Sequence, residues 1–104
     1  MTIWGYLLVF LAGALLSNGI PHFVSGVLGA PFPTPFAKPH GVGDSSPIVN
    51  VLWGFGNGIV GALLALRWLP HDVAPIPDAV CAGGFLVMAL FTARHFGRVR
   101  SAKG

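Results

Sequence analysis

The sequence predicts an all-α membrane protein: three transmembrane helices, a broken first helix, and an ordered Pro-rich loop after it. Three observations carry this. Of 104 residues, 54% are hydrophobic and 9% charged, against about 25% charged in an average soluble domain. A chain this small has much surface per unit volume and needs more polar cover than most, yet its mean hydropathy is +0.75. The charges are also segregated: residues 1–37, Ser45–Leu66 and Ala79–Ala93 contain no Lys, Arg, Asp or Glu. Crossing the hydrocarbon core takes about 20 mostly apolar residues. The reading is one membrane domain, 1–104, with spans at about 3–28, 47–69 and 77–97 and a basic tail at 98–104.

The first span begins with Trp4 and Tyr6, amphipathic rings suited to headgroup depth. Met1-Thr2-Ile3-Trp4 lacks the positive region of a signal peptide, so the helix is expected to be retained. Ser17-Asn18-Gly19-Ile20-Pro21-His22 interrupts the apolar run. Pro21 has no N–H and crowds the preceding turn, which predicts a break near 18–21. The loop, 30–46, is rich in proline with two glycines, which disfavours a regular helix or strand. Its Phe32 and Phe36 would avoid water, so it should press against the membrane surface or between helices. Ser46-Pro47 is a helix start, a cap followed by a first-turn proline.

The second span carries Asn50, Gly54, Asn57, Gly58, Gly61 and Ala65 on one face. Gly54 and Gly58 fit the small-xxx-small pattern of close helix approach. The third offers Ala79, Ala82, Gly83, Ala89 and Ala93 on a similar arc, and the Pro70–Pro77 linker is short. These features predict that helices 2 and 3 pair as a tight antiparallel hairpin. Cys81 is alone in an apolar run and reads as packing.

The strings Asn18-Gly19-Ile20-Pro21-His22-Phe23, Pro33-Thr34-Pro35-Phe36-Ala37 and Ser45-Ser46-Pro47-Ile48-Val49-Asn50-Val51-Leu52-Trp53-Gly54 resemble short, uncharacterised bacterial integral membrane proteins. The resemblance covers about residues 17–61. It implies a bacterial inner-membrane location and no activity.

Orientation follows from cations near the helix ends. Arg94, Arg98, Arg100 and Lys103, with Lys38 of the first loop, oppose Arg67 alone. This predicts a cytoplasmic C-terminus and an N-terminus outside. The chain's net charge of +3 comes largely from this tail, which reads as a topology anchor on anionic lipid, not a nucleic-acid site.

Chemistry is sparse. Asp44, Asp72 and Asp78 are the only carboxylates, all at loops or helix ends, which argues against a proton-coupled exporter with a mid-membrane acid. Ser17, Ser25, Ser45 and Ser46 lack a nucleophile-elbow context. An Asp44–His40 contact would be local and structural. His22, His40, His71 and His95 show no i, i+4 ligand spacing, so no metal site is expected. Haem held by His22 and His95 is the minor cofactor alternative.

The leading expectation is a non-catalytic subunit, homo-oligomeric or part of a larger membrane complex, with lipid and other transmembrane helices as partners. The rival is a site for an apolar ligand such as a quinone or lipid, in a groove flanked by Phe23, Phe32, Phe36 and Trp53. The sharpest structural expectation is a polar cluster of Asn18, His22 and Asn50. The carbonyls freed by Pro21 need partners at membrane depth.

Overall fold

The computed structural model describes residues 1–70 and 75–104. Its elements are α1 (Ile3–Val27), β1 (Phe32–Pro33), β2 (Asp44–Ser45), α2 (Pro47–Trp68) and α3 (Ile76–Lys103). Each helix is long and apolar enough to cross a membrane. The molecule measures 47 × 23 × 20 Å, close to the roughly 40–45 Å of a bilayer with its headgroups.

The first helix is not broken: α1 runs through Pro21 without interruption. A proline costs one donor and some crowding, and transmembrane helices tolerate it. What ends α1 is Gly29. It adopts φ +75°, and the chain closes a two-bond C-terminal motif, with Gly29 N donating to Gly26 O at 3.0 Å and Ala30 N to Ser25 O at 3.0 Å. A left-handed residue is cheap there only for glycine. The other end of α1 is capped by Thr2, whose Oγ1 accepts from Gly5 N at 3.3 Å. Ser46 caps α2 in the same way, through Val49 N at 3.2 Å. The basic tail is not a separate segment either, because α3 stays helical to Lys103.

The second correction concerns pairing. α1 is the central helix, with α2 and α3 packed on it, while α2 and α3 hardly touch each other. The expected tight hairpin of helices 2 and 3 is therefore not formed. The glycine face of α2 meets α1 instead. A Cβ on Gly54 would lie 2.5 Å from Phe23 N, and one on Gly61 2.9 Å from Ala12 O. From the other side, a Cβ on Gly19 would lie 2.7 Å from Gly54 O, and one on Gly26 2.6 Å from Pro47 O. Contacts recur every seven residues on both helices (12, 19, 26 against 61, 54, 47), the repeat that keeps two helices in contact over two turns at a time. The α1–α3 contact is tighter still: a Cβ on Gly13 would overlap the Cys81 carbonyl, and one on Gly84 the Phe10 carbonyl.

Gly58 and Gly83, both expected to pack helices, face open space. The contact in α3 falls one residue later, at Gly84. Because neighbouring helical positions differ by about 100°, adjacent glycines cannot share a face.

The splay between α2 and α3 is filled by the loop at the end where α1 finishes, α2 begins and α3 finishes. Contrary to the expectation of no strand, the loop contains a minimal antiparallel ladder, with Phe32 paired to Ser45 and Pro33 to Asp44. The linker positions 71–74, which include His71 and Asp72, lie outside the described residues.

Candidate functional site

The polar interior sits under the loop. His22 is 2% exposed, Thr34 1% and Asn50 0%. Asn50 is its hub. The side-chain Nδ2 faces three carbonyls, Phe32 O at 3.0 Å, Ser45 O at 3.2 Å and Ser46 O at 3.1 Å. Its Oδ1 therefore turns to His22, at 2.8 Å from Nδ1. An amide oxygen only accepts, so His22 Nδ1 carries the hydrogen and donates. One side chain thus ties α1, both strands of the loop and the start of α2.

Asn18 does not join this hub. It lies one turn back along α1, and its Nδ2 donates to Asn57 Oδ1 at 3.1 Å. Asn57 Nδ2 in turn donates to Trp53 O at 2.8 Å. The two polar links, 22 to 50 and 18 to 57, are successive rungs of one antiparallel pair. Asn57 is accordingly a hydrogen-bonding residue at the α1–α2 contact.

The loop is pinned on its far side as well. His95 of α3 donates from Nε2 to Gly41 O at 2.7 Å. Gly41 has φ +70°, a conformation that favours glycine, and its N–H returns to Thr34 O at 2.9 Å. The Thr34 and Ser45 hydroxyls share a hydrogen bond. Asp44 does not contact His40: it pairs with Lys103 Nζ at 3.0 Å, while His40 Nδ1 donates to Pro35 O at 2.7 Å. The longer lysine reaches across from the end of α3, where the helical tail carries it over the loop.

The four aromatics of the expected groove are divided. Phe36 meets Trp53 edge to face with centroids 4.9 Å apart. Phe32 lies against His22 at 5.3 Å and Phe96 at 4.7 Å. Phe23 stands apart, in a recess between α1 and α2 with Ile20, Phe55 and Ile59. Trp53 Nε1 is buried with no acceptor among the described residues. A niche of about 160 Å³ remains between the loop and the three helices, reached by Asn18, His22, Thr34, Trp53 and His95.

Phe96 and Thr34 were not singled out from sequence. Phe96 looks like any aromatic at a helix end, and Thr34 like any loop residue. The link of Asn18 to Asn57 left a readable trace: a polar pair four apart on one helix and seven apart on the other suits two rungs of an antiparallel contact.

Fold and site together define a three-helix, multi-pass membrane protein whose polar core fastens a loop to its helices. No family model matches the chain, and no curated protein or solved structure matches it either.

Proposed function

We propose that this is a non-catalytic subunit of a bacterial inner-membrane assembly, either a homo-oligomer or part of a larger complex, with its N-terminus outside and its C-terminus cytoplasmic. The observation that carries the reading is how the interior polar groups are used. His22, Asn50, Asn18, Asn57, Thr34 and His95 all hold helices or loop in place. Chemistry would need one of them turned toward a substrate. Several small residues, by contrast, are open to a neighbour: a Cβ on Gly56 or Gly58 of α2, or on Gly83 or Gly97 of α3, would meet nothing within 4 Å. In lipid, where apolar side chains gain little from leaving one another's neighbours, small residues favour helix association by allowing close approach.

The test is native mass spectrometry after gentle extraction at native expression, with a Gly58→Val, Gly83→Val double variant. The wild type is expected to run as an oligomer or with another membrane chain. The variant is expected to keep its helical content and lose the association. A wild-type monomer with no accompanying chain overturns the reading.

A further inference from the structure

An open groove of about 510 Å³ lies between α1 and α3. Its walls are Ile20, Pro21 and Val24 on one side and Phe85, Ala89 and Ala93 on the other. At one end stands a cation, Arg100. From Phe85 to Arg100 the groove follows α3 for about 22 Å at 1.5 Å per residue. Half of the hydrocarbon core is about 15 Å. The groove therefore spans one leaflet and ends where a headgroup would lie.

Arg100 also borders an adjoining recess with Asp44 and Lys103. Those two satisfy each other at 3.0 Å. Among the described residues Arg100 forms no ion pair, and its side chain is exposed. Arg98, two positions away, falls about 200° around the helix and borders neither cavity. One cation of the basic cluster is thus set at the mouth of the apolar groove.

We propose that the α1–α3 groove binds one anionic phospholipid, with an acyl chain along Ile20, Val24, Ala89 and Ala93 and the headgroup phosphate on Arg100. The apolar walls select a lipid tail. The uncompensated guanidinium selects the anionic headgroup over a zwitterionic one, because a phosphate already paired with its own ammonium attracts it less. A guanidinium also offers the phosphate two parallel N–H donors.

The full chain is reconstituted in vesicles containing phosphatidylglycerol and phosphatidylcholine with identical acyl chains. It is then extracted in mild detergent and examined by native mass spectrometry. One phosphatidylglycerol is expected to stay bound in preference to phosphatidylcholine. Arg100→Gln is expected to lower its retention roughly fivefold, the effect of about one cation near a membrane surface. Arg98→Gln should leave retention unchanged. Ala93→Trp, which fills a lipid-facing wall, should lower retention of both lipids. Equal retention of the two lipids, or equal losses from Arg98→Gln and Arg100→Gln, overturns the proposal. So does recovery of a free fatty acid in place of the phospholipid.

Discussion

Asn50 serves groups on two sides at once. Its carboxamide receives the His22 N–H at 2.8 Å and donates to loop carbonyls that include Phe32 O at 3.0 Å. Single interhelical hydrogen bonds in membranes average about 0.6 kcal/mol and reach about 1.7. The loop carbonyls add more, since orphaning a buried polar group costs about 1–3 kcal/mol. Asn50→Leu should therefore destabilise by about 2–4 kcal/mol. Asn57→Leu removes one cross-helix bond, from Asn18 at 3.1 Å, and should cost only about 0.6–1.7 kcal/mol. Thermal unfolding of both variants in one detergent checks the ranking. Equal melting temperatures would mean that Asn50 is not the hub. That Asn50 faces protein was legible from its place on the glycine stripe. The Asn18–Asn57 link has a trace in the four-and-seven spacing of the polar pairs, but a break at Pro21 hides it by altering the register of everything before it. The continuous helix keeps Asn18 and His22 one turn apart on one face.

At the scale of elements, helix existence was legible and helix partnership was not. Three charge-free stretches fix where helices can cross lipid, and α1, α2 and α3 occupy them. A stripe of small residues shows that something approaches closely, but not which helix. The small-residue arc of α3 and the short linker point the α2 stripe to α3, whereas it meets α1. Likewise Pro21 suggested a stop that only Gly29 provides. The glycines now make a paired test. At Gly84 a Cβ would collide with the Phe10 backbone, whereas at Gly83 it meets nothing within 4 Å. Gly84→Val should pry α3 from α1 and lower the melting temperature, by an amount in the range of core overpacking, about 1–3 kcal/mol. Gly83→Val should leave monomer stability within about 0.5 kcal/mol. If both variants melt alike, the rotation of α3 on α1 differs from the one described.

At the scale of the whole molecule, the loop and the ends of α1 and α3 gather most of the cations at one end of the helix bundle. With α1 and α3 parallel and α2 between them in sequence, an odd number of crossings puts the two termini on opposite sides. Lys38, Arg94, Arg98, Arg100 and Lys103 all fall at the loop end, and Arg67 falls at the other. Cations near span ends stay on the cytoplasmic side, so the loop end should be cytoplasmic and Met1 outside. One loop-end cation is already used, as Lys103 binds Asp44, but orientation depends on Lys and Arg number and hardly on acids. A fluorescent protein fused after Gly104, of a kind that matures only in the cytoplasm, should fluoresce. An alkaline phosphatase fused there, active only outside, should be silent. Replacing Arg94, Arg98 and Arg100 by Gln removes three of the five loop-end cations against the single Arg67, and should weaken the bias enough to give mixed orientation in the same pair of reporters. Unchanged reporter activity in that triple variant would show that the charges do not set the topology and that the hydrophobic segments alone decide it.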